Sequence, residues 1–361
     1  MNSATSSSAA AWKRVAVVGV PVALLAGVGW ALWAARDSTP RLMGAAREAS
    51  HLGDYEKVLE LAPRMLASTP TASEPWLLAA RAAEETGQTE LMLDYCRRIP
   101  EGAGGEELAA LFARAGHQAI RAGRASDAER FDRRALAIQP DLLDVHRRLA
   151  ALYLGQARRW ESAPHLFALL RGRAFTLEEL AFLGNLEELY DAEQLMTFFE
   201  RSVPEDLTPM VGRARLLLFK NFTEEGGALL ERLAAAHPDL IEAQAQLGVV
   251  LVSQSRDREL IDWNGRLPAA AEEHPEVWWV RGTFARRQND VPGAIRCAWE
   301  ALRRDPNHLG ATYQLAQLLA IVGRSEAADA FARRAARLEA LAAAIHDILL
   351  RETSGEAMLR C

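Results

Sequence analysis

The sequence predicts an all-α protein, a solenoid of about nine helix-turn-helix repeats that follows one N-terminal transmembrane helix. Three observations predict it. Two consecutive blocks, one from Pro275 and one from Leu309, place small and large residues at matching positions. Half of the 361 residues are hydrophobic but only 7% are aromatic, so alanine-rich helices can approach closely while no single hairpin buries enough surface to stand alone. Near the start, Val15 to Ala35 carries no charge, and at about 1.5 Å per residue this run spans roughly 30 Å, the thickness of a hydrocarbon core.

The repeat is clearest towards the C-terminus. Trp278, Gly282, Ala285, Asn289-Asp290, Ala294, Ala301 and Pro306 in one block answer to Thr312, Ala316, Leu319, Gly323-Arg324, Ala328 and Ala335 in the next. A large residue with a small one a turn later marks one helix face, and the later alanines mark the face of a second helix packed against it. The same frame recurs at Gln244, Leu247, Gly248 and Leu251. It returns at Phe112, Gly116, Gly123, Ala128, Ala135 and Pro140, then at Leu42, Ala46, Gly53, Met65 and Pro70, and at Trp76, Ala80 and Gly87. The register runs without a gap from Leu207 to Ala342 and slips at Gly102–Gly105 and across Arg158 to Glu205. Hairpins are expected to start near Thr39, Ser73, Ala109, Leu143, Thr176, Leu207, Ile241, Pro275 and Leu309. The pattern resembles the tetratricopeptide repeat (TPR), whose period is about 34 residues. That resemblance implies a right-handed superhelix that binds other proteins and performs no catalysis.

In chain order, residues 1–11 are rich in Ser, Thr and Ala without apolar periodicity and are expected to be a disordered tail. Residues 12–36 are the expected membrane helix, with Trp12 at one end and Trp30 and Trp33 at the other as interfacial aromatics. A cleaved signal peptide is the rival. It is disfavoured because the apolar run exceeds the usual length of about 7–15 residues and no small-residue cleavage site follows. Lys13-Arg14 lacks an acidic neighbour whereas Arg36 is followed by Asp37, which favours a cytoplasmic N-terminus. Thirty-nine of the 42 basic residues are Arg, a bias suggesting a GC-rich bacterium, so the expected location is the inner membrane with the repeats in the periplasm. Gly19, Ala23, Gly27, Ala31 and Ala35 form a small-residue stripe through which two membrane helices could pair into a homodimer. The solenoid is expected over 39–342, a separate capping helix over 343–352 and a flexible tail over 353–361.

Residues with chemical potential point away from catalysis. No CxxC, HExxH, P-loop, GxSxG or GxGxxG is present, and no two histidines have the i, i+4 spacing of a helical zinc pair, so no catalytic, cofactor or metal residues are expected. His237, His274 and His308 sit at repeat junctions, where a turn-capping role is expected. Cys96 and Cys297 fall on second helices as small packing thiols, and Cys361 is terminal. A net charge of −6 without a basic, aromatic-interleaved run excludes a nucleic-acid partner.

The remaining expectation concerns surface. In tetratricopeptide proteins the first helix of each hairpin lines a ligand groove, and the resemblance carries those positions onto Arg47, Arg81, Arg114, His117, Arg121, Arg147 and Arg148. Further along they fall on Arg215, Trp279, Arg286, Arg287, Tyr313, Gln314 and Gln317. Guanidinium groups bind carboxylates bidentately, so an acidic protein or peptide segment is the expected guest. The Lys/Asn carboxylate clamp of some family members is missing, because no Lys occupies these positions. Trp76 and Trp278 are assigned to the core. The overall expectation is a membrane-anchored, non-catalytic adaptor. The alternatives are an accessory subunit of an envelope enzyme or export complex (cytochrome maturation or polysaccharide export) and a hydrolase with its site in 158–205. Against the hydrolase stand Leu177, Leu180, Phe182, Leu183, Leu186 and Leu189, which are apolar at helical spacing.

Overall fold

The computed structural model describes residues 39–184, 201–203, 206 and 209–359, with side chains to 347. The expected tail and transmembrane helix, with Gly19 to Ala35 and Cys361, lie outside the described residues. Among the described residues no helix is long and apolar enough to cross a membrane.

Helical hairpins follow one another as the periodicity requires. The first two are α1 (Thr39–His51) with α2 (Tyr55–Ser68) and α3 (Ser73–Glu85) with α4 (Thr89–Arg98). Next come α5 (Glu106–Arg121) with α6 (Ala125–Ile138), α7 (Leu143–Gly155) with α8 (Arg159–Arg171), and α9 (Leu177–Gly184), the first helix of the fifth hairpin. The remainder are α10 (Met210–Phe219) with α11 (Thr223–Ala236), α12 (Ile241–Ser253) with α13 (Asp257–Arg266), α14 (Pro275–Arg287) with α15 (Val291–Arg304), and α16 (Leu309–Ile321) with α17 (Ser325–Leu359). A 3-10 turn over Ala269–Glu273 joins α13 to α14. Helix starts match the expected ones to within three residues, and α12, α14 and α16 begin 34 residues apart.

Among the described residues each hairpin turn is made by one left-handed residue. Gly53, Gly87, Gly123 and Gly323 have φ between 70° and 76°, and Ala157, Asn221, Ser255 and Asn289 hold the equivalent place at φ 54° to 65°. The small residue in the middle of a first helix admits its partner: a Cβ on Gly248 would come within 2.4 Å of the Trp263 ring, so α12 and α13 touch only because that side chain is absent. Apolar burial then runs from hairpin to hairpin, as from Ala298 and Ala301 on α15 to Ala311, Leu315 and Leu319 on α16.

One compact unit ends at Leu111 and a second begins at Phe112. In the first, Met43, Ala46 and Met65 form one core cluster and Ala49, Val58 and Ala82 another. Trp76 is buried as expected, its indole N–H donating to the Pro70 carbonyl at 3.1 Å.

Two expectations need correction in the second unit. No break separates the last hairpin from a capping helix: α17 continues through 343–352 and into the expected tail, because residues 325–353 contain neither Gly nor Pro and are mostly good helix formers. The slip region is also less apolar inside than its periodicity suggested. Leu177 and Leu180 are 54% and 41% exposed, while Arg158 and Arg159 are buried.

The second unit also departs from nearest-neighbour stacking. Val203 N–H donates to the Gly123 carbonyl, and Asp206 accepts from the backbone and hydroxyl of Ser126 at 2.7 and 2.6 Å, so the chain entering the sixth hairpin touches the third. Arg215 of α10 donates to the Ala157 carbonyl at 2.8 Å, and the ring of Trp160 on α8 lies 6.2 Å from that of His274. Helix α17 packs against α9.

Candidate functional site

The expected groove residues divide by what they touch. Several are staples between hairpins. Arg47 pairs with Glu74 at 2.6 Å, one hairpin on. Arg147 pairs with Glu179 at 2.8 Å and also donates to the Ala174 carbonyl. Arg148 grips Asp132 through two nitrogens at 2.7 and 2.5 Å and donates to the Ala113 carbonyl at 2.9 Å. Arg287 binds the Val252 carbonyl at 2.9 Å, Ser255 at 2.8 Å and Asp257 at 2.6 Å, and Arg286 donates to Gln317 at 2.7 Å. Trp279 sits between hairpins, stacked on His308 with centroids 6.3 Å apart, because Gly310 leaves room for its indole. Gln314 is buried and donates to the Thr283 hydroxyl at 3.2 Å. The reason is geometric: helix positions that face a groove also face a neighbouring first helix, so a long Arg can reach a carboxylate or carbonyl of the adjacent repeat.

What stays on the surface is a smaller set. Arg81 on α3 is exposed and makes no ion pair among the described residues. Arg114, His117 and Arg121 on α5 are exposed. Tyr313 is 37% exposed, and the Glu339 carboxylate of α17 raises the phenol's pKa.

Two buried charge clusters were not expected from the sequence. The first lies in hairpins three and four. Arg158, nearly fully buried, pairs with Glu129 at 2.5 Å and Glu161 at 2.6 Å, and its guanidinium lies 4.6 Å from the Tyr153 ring centroid. Burial opposes its charge, but the two carboxylates outweigh burial and hold its pKa well above the ordinary value. Burial likewise opposes ionisation of Glu129, and Arg158, Arg133 and the Tyr153 hydroxyl together keep that carboxyl below its usual range. Asp132 differs: burial pushes it up to about 6 against the pull of Arg148. Beside them His146 Nε2–H donates to the Pro140 carbonyl, which leaves its Nδ1 to accept from His165 Nδ1–H at 2.9 Å. Burial, then His146 and Arg133, push His165 down to about 4.

The second cluster lies in hairpins seven to nine and repeats with the chain. His274 and His308 precede α14 and α16, and each Nδ1 accepts a backbone N–H of the helix it caps, from Glu276 at 3.3 Å and Ala311 at 3.1 Å. The junction histidines thus cap turns as expected. With Nδ1 accepting, the ring proton sits on Nε2. There it faces a carboxylate of the preceding first helix, Glu242 at 3.1 Å and Glu276 at 3.4 Å. Burial raises the pKa of both carboxyls, yet His274 with Arg215 and Gln246, and His308 with His274 and Arg215, bring them below the ordinary value. The signal was legible: Glu242 and His274 lie 32 residues apart, and the same pair recurs one repeat later.

Neither cluster has the form of a catalytic centre. Their carboxylates are spent on Arg and His partners, and among the described residues no three His, Cys, Asp or Glu side chains are placed to hold a metal ion. Cys96 is buried and Cys297 half-buried, burial raising the pKa of the Cys297 thiol.

The hairpins have the period, turn position and small-residue helix contact that the tetratricopeptide resemblance implies. No protein-family model and no curated protein matches the sequence. Among solved structures the chain is similar to MamA from Desulfovibrio magneticus RS-1 at 12% identity, covering 66% of this chain and 97% of that one with a TM-score of 0.29. It is similar to the TPR domain of P58(IPK) at 11% identity, covering 87% and 96%, TM-score 0.30. It is also similar to the APC/C hetero-tetramer Cut9-Hcn1 at 14% identity, covering 94% and 68%, TM-score 0.37. Overlaps this loose carry no argument, and the repeat assignment stands on the hairpins themselves.

Proposed function

We propose that this tetratricopeptide-type chain is a non-catalytic scaffold that holds a protein partner through exposed side chains of its first helices, Arg81 in the first unit and, taken separately, His117 and Arg121 in the second. One observation carries the reading: buried charged groups across the array are turned inward to join hairpin to hairpin, whereas Arg81 and, on the third hairpin, His117 and Arg121 are left on the surface. Exposed guanidinium groups on a rigid helix suit an acidic peptide segment, each contributing through charge-assisted hydrogen bonds. The uncharged run Val15 to Ala35 supports an anchor in a bacterial inner membrane with the repeats in the periplasm, and its small-residue stripe supports pairing of two anchors. Such an anchor would keep the scaffold, and whatever it holds, at the bilayer. An accessory role in an envelope enzyme or export complex is a special case of the same scaffold.

In-cell crosslinking of the full chain followed by affinity capture tests this. Arg81→Glu and Arg121→Glu, made separately and together, should lose a protein captured by the wild type while helical circular dichroism is unchanged. Capture unaffected by the double variant would remove these helices as the binding surface.

A further inference from the structure

Helix α9 and the far half of α17 belong to the fifth and ninth hairpins, yet they pack together. In a solenoid each repeat touches its neighbours, so this contact is an addition to the stack. It depends on a missing side chain. Ile345, buried to 7% exposure although it lies well beyond the turn that begins α17, reaches Gly184, and a Cβ on Gly184 would come within 2.7 Å of its Cδ1. Four residues earlier on the same face of α17, Leu341 is 44% exposed, and on α9 Leu177 and Leu180 remain exposed as well. The seam is therefore apolar on both sides and only partly closed.

We infer that α9 is a docking surface for an apolar helix, and that its resident occupant is this chain's own α17 from Glu339 onward. The extension acts as a strap. It covers Gly184 while in place, and a partner helix offering branched aliphatic residues at i and i+4 competes with it for α9. The strap rests on the scaffold reading only for its consequence, since the contact itself is measured without a partner.

The probe is a labelled synthetic peptide of residues 336–359, added in trans to full chains. Wild type should bind it weakly because α9 is occupied. Ile345→Asp puts a charge into the seam and should release the strap, so that this chain binds the wild-type peptide about tenfold more tightly than wild type does. Adding Gly184→Leu to Ile345→Asp should abolish the gain by filling the space that Ile345 uses. Amide exchange read on the same samples should show 177–184 losing protection in Ile345→Asp, with α12 to α16 unchanged. Equal peptide binding by wild type and Ile345→Asp, with helicity intact, overturns the inference, as does a gain that survives Gly184→Leu. Loss of partner capture in the Arg81 and Arg121 variants leaves this result untouched, so the two readings fail separately.

Discussion

Hairpins three and four bury carboxylates against arginine, and hairpins seven to nine bury them against histidine. The geometries are alike, with partners one repeat or less apart at 2.5–3.4 Å. The chemistry differs. Arg stays charged throughout the accessible pH range, so Glu129 and Glu161 face a permanent cation and the pair answers to pH only through its acid. His274 and His308 also use Nδ1 to cap a helix, so a second proton on either ring would oppose a backbone N–H. The same task, partnering a buried carboxylate between repeats, is thus done once by a fixed charge and once by the N–H of a ring that is also part of the helix start.

The sharpest way to break the comparison is Arg158→Met, which leaves Glu129 and Glu161 without their shared cation. Breaking a buried pair in this way costs about 3–5 kcal/mol, read as a fall in unfolding free energy in urea. The next effect is in pH. His165 is pushed down to about 4 from an ordinary 6.5, so the folded state binds fewer protons than the unfolded one between these values, and stability is lost as pH falls through that window. His165→Leu should remove that loss, improving relative to wild type by up to about 3 kcal/mol between pH 6.5 and 4. Asp132 works the other way: raised to about 6, it adds stability at low pH that is lost as pH rises from about 4 to 6, so in wild type the two groups largely cancel.

In the histidine-held region Glu242→Gln should cost about 1–2 kcal/mol at neutral pH through weaker bonds to His274 and Arg215. Glu242 has a lowered pKa, so its contribution is present above the ordinary 4.5 and disappears as pH falls through the lowered value. The variant should lose that acid-side dependence in thermal melts. Smallest is a matched pair at the turn position. Gly323→Ala meets no neighbour and should cost about 1 kcal/mol from its left-handed backbone alone. Ala157→Gly, at the equivalent turn of the arginine-held region, should be nearly neutral, because relief of a φ of 54° is offset by loss of a fully buried methyl group.

Hairpin starts were legible because a helix face writes its period into the chain: Trp76, Gly116 and Gly248 mark contacts that any neighbouring helix must make. The surface was less legible. Arg147, Arg148 and Arg287 occupy groove positions, but a position says which way a side chain sets out and not which carboxylate lies within its reach. The slip region misled in a different way, since Leu177 and Leu180 have the spacing of core residues and stand exposed, while Arg158 and Arg159 are buried.

By itself the sequence determined the helices, the turns and the order in which hairpins stack, because each depends on residues within about one repeat of each other. Only the tertiary structure decided how the second unit folds back on itself. The contacts of Asp206 with Ser126, Trp160 with His274 and Ile345 with Gly184 join residues 80 or more positions apart, and no periodicity of 34 selects them. They arise from the summed rotation of successive repeats, a quantity that small packing differences in every hairpin contribute to and that no single residue encodes.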